Sequence, residues 1–314
     1  PPPLLAPDGS SVTYTFSSPS VPGDVWRFDR PSGRLERLTM SPGVTGGPGV
    51  APLAEPTTHV VGSFDGERIP LWLYRPSGPV NENAPTPVVL FIHGGPESQS
   101  VLTFNPVVQG LVLEGYAVVV PNVRGSTGYG KAFAGLDDTT RRLDSVADLA
   151  AIHRWLPSEG LDPGRAALWG GSYGGYMVLA GCAFQPDLWA AGVDIVGISD
   201  LMTFLENTSS YRRAHREHEY GSLTTDREFL ERASPLRSVE SMRAPLFVLH
   251  GANDPRVPLS EAEQLVSSLR NRGIRCDLVV YSDEGHGLQK LSNRLEAYPR
   301  AVTFLNAILD PSSA

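Results

Sequence analysis

The chain has 314 residues, 41% of them hydrophobic and 19% charged, with a net charge of −8 at neutral pH. That length suits one large globular domain plus an appendage. The acidic balance and the lack of any Lys/Arg run exclude nucleic acid as a partner, and no apolar run reaches the ~18 residues needed to cross a membrane. The two cysteines, Cys182 and Cys276, are far apart and lack metal-ligand spacing, so both are expected to be buried free thiols. The chain opens Pro1-Pro2-Pro3 with neither Met nor a signal-peptide pattern, which leads us to expect a processed or truncated N-terminus. The expected compartment is the cytoplasm.

Residues 1–56 have their own texture. Val12–Phe16 and Asp24–Phe28 alternate like short β-strands between Pro/Gly/Ser turns, and Ser41–Pro52 reads as a linker. So few short strands cannot bury a core alone, and the segment must pack on something larger.

From residue 57 to 314 strands alternate with helices. The strand candidates are a hairpin (Thr58–Phe64 and Arg68–Tyr74), Val88–Ile92, Ala117–Val120, Ala166–Trp169, Ala191–Val196, Leu246–His250 and Leu278–Tyr281. Helical patterns fall at Ser145–Leu156, Tyr173–Ala183, Ser260–Asn271 and Leu295–Leu309. Nearly continuous apolar strands separated by helices predict a doubly wound, mostly parallel α/β sheet with helices on both faces. Ligands of such sheets bind beyond the carboxyl ends of the strands.

The stretch Gly170-Gly171-Ser172-Tyr173-Gly174 matches G-x-S-x-G between a strand and a helix. In that context the glycines permit a turn too tight for side chains, and the serine oxygen is lifted above the sheet edge at a helix N-terminus. This is the nucleophile turn of the α/β-hydrolase fold. Serine needs a base to remove its proton, and here the chain order is serine, acid, histidine. Asp254 lies in the loop after Leu246–His250, and His286 in the loop after Leu278–Tyr281. Asp283 and Glu284 sit too near His286 in sequence to orient it from a separate loop and are expected to be solvated.

An oxyanion site needs two donors aimed at the developing charge. One is the backbone N–H of Tyr173, after the nucleophile; the other is Gly95, or alternatively Gly94, in the His93-Gly94-Gly95-Pro96 turn. His93 is expected to staple that loop, and His250 to be a satisfied structural histidine. Surface or capping roles suffice for Asp137, Asp138 and Asp144. The cluster His215-Arg216-Glu217-His218-Glu219 does not match H-E-x-x-H and is expected to face solvent, so neither metal nor cofactor is expected. Phe204 and Tyr211, between the nucleophile helix and the Asp254 strand, are candidate lining of a specificity pocket.

With these motifs in place, the chain resembles the catalytic domain of the prolyl oligopeptidase family, acylaminoacyl-peptidase-like branch. The resemblance rests on His93-Gly94-Gly95-Pro96, Asn122 to Gly130, Gly170 to Met177, Asn253-Asp254-Pro255-Arg256-Val257-Pro258 and Glu284-Gly285-His286. It covers residues 58 to about 310 and implies oxyanion donors at Gly95 and Tyr173. The dipeptidyl-peptidase branch typically carries Trp where Gly171 stands. Thr139-Thr140-Arg141-Arg142 replaces a Gly/Trp-containing turn that is common in the family. Family members carry an N-terminal β-propeller, and residues 11–40 resemble the end of its last blade. The activity implied is hydrolysis of short peptides through an acyl-enzyme. A carboxylesterase acting on small esters is the alternative, and a non-catalytic binding module the remote one. Expected partners are a small peptide or ester substrate, with homo-oligomerisation left open.

Overall fold

The structure is a computed structural model that describes residues 2–41, 52–77, 85–208 and 210–310. A four-stranded antiparallel sheet comes first: β1 (Leu4–Leu5), β2 (Ser11–Ser18), β3 (Val21–Asp29) and β4 (Leu35–Arg37), in that spatial order. Two of these strands are longer than expected, and β1 and β4 are additions. One such sheet in chain order is consistent with a propeller blade. It docks through Ser17, whose Oγ accepts from the Phe104 N–H at 3.1 Å, and through Pro19, whose carbonyl accepts from Gln109 Nε2 at 2.9 Å.

The second sheet has eight strands: β5 (Thr57–Gly62), β6 (Arg68–Tyr74), β7 (Thr86–Ile92), β8 (Ala117–Pro121), β9 (Leu161–Gly171), β10 (Ala191–Ile195), β11 (Leu246–Gly251) and β12 (Cys276–Tyr281). Their spatial order is β12-β11-β10-β9-β7-β8-β6-β5. The strands from β7 to β12 run parallel, while β5 and β6 form an antiparallel hairpin on the edge beside β8. The expected strands are all present, with most ends displaced by a few residues. The helices are α1 (Pro106–Leu113), α2 (Lys131–Ala134), α3 (Arg142–Trp155), α4 (Tyr173–Phe184), α5 (Leu201–Asn207), α6 (Ser210–Tyr220), α7 (Arg227–Arg232), α8 (Leu259–Asn271) and α9 (Leu291–Leu309).

Alternate residues of each parallel strand feed two separate cores, which is why the strands read as unbroken apolar runs. Val88, Leu90, Ile92, Leu246 and Val248 face the core shared with α3, α4 and α8. Val89, Phe247 and Leu249 face the other, which α1 and α9 cover. Both cysteines are buried and unpaired, as expected. Strand order reverses at β7, with β8 on one side and β9 on the other, so the crevice at the carboxyl ends of β7 and β9 is the switch point of the sheet.

One core residue breaks the apolar pattern. Asp194 on β10 pairs with Gly170 on one side and Val248 on the other, and neither carboxyl oxygen makes a hydrogen bond of ordinary geometry. Burial pushes its pKa up to about 7, against the pull of the nearby Gly197 N–H. Stability contributed by the protonated form is fully present near the ordinary aspartate value of 3.8 and is lost as pH rises through about 7. Asp194→Asn should therefore resist urea better than wild type at pH 8, by a few kcal/mol, with the gap closing toward pH 4. The same gap at both pH values would sink this account.

Candidate active site

The turn around Ser172 is built by close approaches that glycine alone permits. A Cβ on Gly170 would stand 2.3 Å from the Gly174 carbonyl oxygen, and one on Gly174 would stand 2.3 Å from that of Ile92. Between them Ser172 has φ 58° and ψ −116°, a left-handed conformation that costs a serine on the order of 1–3 kcal/mol. The turn is held from below by the Ser172 N–H, which donates to the Ile195 carbonyl at 2.8 Å. By contrast, a Cβ on Gly171 would meet nothing closer than 3.6 Å, so that position has room for a side chain.

The loops after β9, β11 and β12 bring the predicted residues together. His286 Nε2 lies 2.9 Å from Ser172 Oγ, and its Nδ1 lies 2.7 Å from Asp254 Oδ2. The Asp254 side chain is fully buried, and that of His286 is 14% exposed. Asp254 Oδ1 also accepts the N–H groups of Arg256 (2.7 Å) and Val257 (3.0 Å). Burial works against the Asp254 charge, but the bonds from His286 and the two amides outweigh it, so its pKa is lowered. The acid and histidine loops are stapled to each other by the Ala252 N–H on the Tyr281 carbonyl (2.9 Å) and the Asn253 N–H on the Glu284 carbonyl (3.0 Å).

Asp283 pairs with Lys290 at 2.6 Å and accepts from Asn293 Nδ2 at 3.1 Å, with nearly half its side chain exposed. Glu284 departs from expectation. It is buried rather than solvated, because its carboxylate accepts the N–H groups of Gln289 (3.0 Å) and Lys290 (2.9 Å) and so shapes the turn behind His286.

The His93-Gly94-Gly95-Pro96 turn leaves β7 at the switch point. Gly94 lies against Ser172: a Cβ there would be 3.0 Å from the Gly171 carbonyl oxygen and 3.6 Å from Ser172 Cβ. Gly95 has φ +146°, which favours glycine. His93 staples this loop, its Nδ1–H donating to the Gly94 carbonyl at 2.8 Å and its Nε2 lying 2.8 Å from Ser126 Oγ, which itself donates to the Val123 carbonyl at 2.7 Å. Burial lowers the His93 pKa.

Other expectations need correction. Phe204 does not line a pocket. It is buried in the core, its ring edge-on to Tyr220 with centroids 5.6 Å apart, because α5 turns its apolar face inward. The side chain of Tyr211 lies outside the described residues. Asp137 is not at the surface: it is buried and paired with Arg142, also fully buried. His250 is only half satisfied, with Nε2–H donating to the Val257 carbonyl at 3.0 Å and Nδ1 unpartnered. His215 and His218 are exposed on α6, whereas Glu219 is buried and pairs with Arg216 at 2.6 Å.

Comparison with known proteins places this arrangement in a family. The family model described as the prolyl oligopeptidase family matches residues 102–312. The chain is 34% identical over 298 residues to dipeptidyl aminopeptidase BIII of Pseudoxanthomonas mexicana, covering 91% of this chain and 43% of that enzyme. It is 26% identical over 324 residues to the acylamino-acid-releasing enzyme of Rattus norvegicus, covering 98% of this chain and 44% of that one. A Mycobacterium tuberculosis puromycin-hydrolyzing peptidase superposes with a TM-score of 0.87 at 28% identity, covering 96% of this chain and 46% of its own. An acylaminoacyl peptidase solved with Z-Gly-Gly-Phe-chloromethyl ketone superposes with a TM-score of 0.83 at 26% identity, covering 95% and 48%. The chain thus spans less than half the length of these relatives. With the matched region taking in the nucleophile turn and the loops of Asp254 and His286, the chain belongs to the prolyl oligopeptidase family of peptidases.

Proposed function

We propose that this chain hydrolyses short peptides by acyl transfer, with Ser172 as nucleophile, His286 as general base and then general acid, and Asp254 as the group that orients the imidazole. One observation carries the reading: the unbroken chain of hydrogen bonds from Ser172 Oγ through both nitrogens of His286 to a buried carboxylate. Ser172 attacks the substrate carbonyl while its proton passes to His286 Nε2, which then protonates the leaving amine. Water hydrolyses the acyl-enzyme by the same route in reverse. The oxyanion would be held by the N–H of Tyr173, which at the first position of α4 has no partner within its helix, and by that of Gly95. The nearness of Gly94 to Ser172 supports the second donor.

Relatives named as a dipeptidyl aminopeptidase, an acylamino-acid-releasing enzyme and a puromycin-hydrolyzing peptidase all point to small amides as substrates. We take the class to be short peptides with an acylated or free N-terminus. The test is a rate panel on acetyl-aminoacyl, free aminoacyl and blocked prolyl anilides beside nitrophenyl esters. Anilides should be cleaved, and esters faster, because their leaving group needs little protonation. Ester turnover without amide cleavage would replace this reading by a carboxylesterase. No turnover and no reaction with a fluorophosphonate would leave only a binding module.

A further inference from the structure

Behind the proposed oxyanion donor lies a buried polar cluster that hydrolysis as described does not use. Arg142, at the start of α3, is fully buried, and its Nη1 is paired with the Asp137 carboxylate. Its Nη2 donates to the backbone carbonyl of Glu219 near the end of α6 at 2.9 Å. The guanidinium lies over two aromatic rings, 5.1 Å from the centroid of Tyr173 and 4.7 Å from that of Tyr220. Burial disfavours its charge, but the adjacent Asp137 carboxylate outweighs this and raises its pKa.

The same carboxylate reaches Tyr173 directly. The Tyr173 hydroxyl donates to Asp137 at 3.2 Å and shares a 2.9 Å hydrogen bond with Ser145 Oγ. Asp137 is itself clamped, because a Cβ on Gly125 (φ +94°) would fall 2.2 Å from its Cγ. Gly125 neighbours Ser126, the hydroxyl that holds His93 and hence the Gly94-Gly95 turn. Both proposed donors thus have a neighbour packed on the loop Arg124–Gly128, one through the His93–Ser126 hydrogen bond and the other through Asp137 against Gly125.

We propose that the buried Asp137–Arg142 pair is a positioning device for the oxyanion site, fixing the Tyr173 amide on one side and the end of α6 on the other. The proposal rests on the reading of Tyr173 as an oxyanion donor. A buried ion pair is weak evidence of stabilisation, since apolar residues often fill such a space as well. What this pair adds is geometry: the Tyr173 side chain is held by a hydroxyl, a carboxylate and a neighbouring cation, and in this proposal that hold keeps the residue, and with it the backbone N–H, in place. Donors that need no reorganisation are those that lower the barrier most.

Arg142→Lys keeps a charge beside Asp137 but lacks the planar fork that reaches Asp137 and the Glu219 carbonyl together beside two rings. Tyr173→Phe removes only the hydroxyl and keeps the amide. Both variants should lose about tenfold in kcat, a fraction of the 10²–10³ lost when a donor is removed outright. KM for an anilide should stay within about twofold, because the ground-state carbonyl draws little on the oxyanion site. Affinity for a peptidyl trifluoromethyl ketone, which forms a tetrahedral adduct on the serine, should fall by the same factor as kcat. A purely structural role would instead lower the melting temperature and leave kcat and adduct affinity at wild-type values in the folded variant. That result, or a change confined to KM, would overturn the proposal. If Arg142→Lys does not fold, Tyr173→Phe decides alone. Ser172→Ala, run alongside, separates the two levels. Surviving turnover there defeats the serine reading itself, whereas a dead Ser172→Ala beside unimpaired Arg142→Lys and Tyr173→Phe defeats only the positioning device.

Discussion

Ser172→Ala should abolish fluorophosphonate labelling and lower kcat by on the order of 10⁶-fold, as loss of a triad nucleophile does elsewhere, with the fold intact. Without Oγ no acyl-enzyme can form, and what remains is the acceleration that binding and the oxyanion donors supply unaided. The fold should survive because the change removes one partly exposed atom whose one hydrogen bond described here is to His286. The backbone strain at φ 58° is not relieved by alanine, since Cβ is retained. Ser172→Gly would relieve it, and should melt above Ser172→Ala by an amount equivalent to about 1 kcal/mol. Mass spectrometry of the labelled wild-type protein identifies the modified peptide, and labelling that persists in Ser172→Ala would show that the nucleophile lies elsewhere.

The parallel strands were legible because a sheet covered on both faces demands apolar side chains at successive positions, and Val88–Ile92 and Leu246–Leu249 meet that demand without a break. The nucleophile turn was legible for a steric reason, since Gly170 and Gly174 admit no side chain. Boundaries were less so. Strand β9 begins at Leu161, but its pairing with β7 jumps from Thr86–Leu161 to Val88–Ala166, and the residues looped out between hide the periodicity. Helix α1 carried a start signal that went unused: Asn105 accepts from the Val107 and Val108 N–H groups, and Pro106 opens the helix. In the antiparallel sheet, β1 and β4 are too short and too exposed to show alternation.

What sequence could not reveal was the burial of charge. Asp137 and Arg142 stand in a run of polar residues that reads as solvated surface. They are buried because α4, α6 and the Gly125 turn close over them, and those contacts are long-range. The available signal was weak. A glycine at Gly125 in left-handed conformation, beside a carboxylate that needs the space of its missing side chain, is visible only once both are placed. Phe204 failed for the converse reason: proximity in sequence to a candidate pocket says nothing about which way a short helix faces, and α5 faces the core.

Asp254→Asn should lower kcat by about 10⁴-fold with little change in KM, because the loss is one of tautomer rather than of shape. In the wild-type site the carboxylate accepts from His286 Nδ1, which leaves Nε2 unprotonated toward Ser172 and able to take its proton. Asparagine would keep its oxygen on the Arg256 and Val257 amides, where Oδ1 now sits, and turn its NH₂ toward His286. Imidazole would then accept at Nδ1 and carry its proton on Nε2, where it can no longer act as base. Because the Asp254 pKa is lowered, its ionised form contributes stability above the ordinary aspartate value of 3.8 that is lost as pH falls below it. Asp254→Asn should accordingly show a shallower acid-side loss of stability than wild type. Asp283→Asn provides the contrast, since it disturbs a half-exposed pair with Lys290 and a 3.1 Å hydrogen bond from Asn293 Nδ2, and exposed pairs of this kind are screened by solvent. Its kcat should stay within about twofold of wild type, because the hydrogen bonds described for the Asp283 side chain go to Lys290 and Asn293, whereas that of His286 Nδ1 goes to Asp254. Rates measured on one anilide and one ester for both variants decide the matter. A crippled Asp283→Asn beside an active Asp254→Asn would mean that His286 takes its orientation from its own loop, and that the 2.7 Å bond to Asp254 does not persist during turnover.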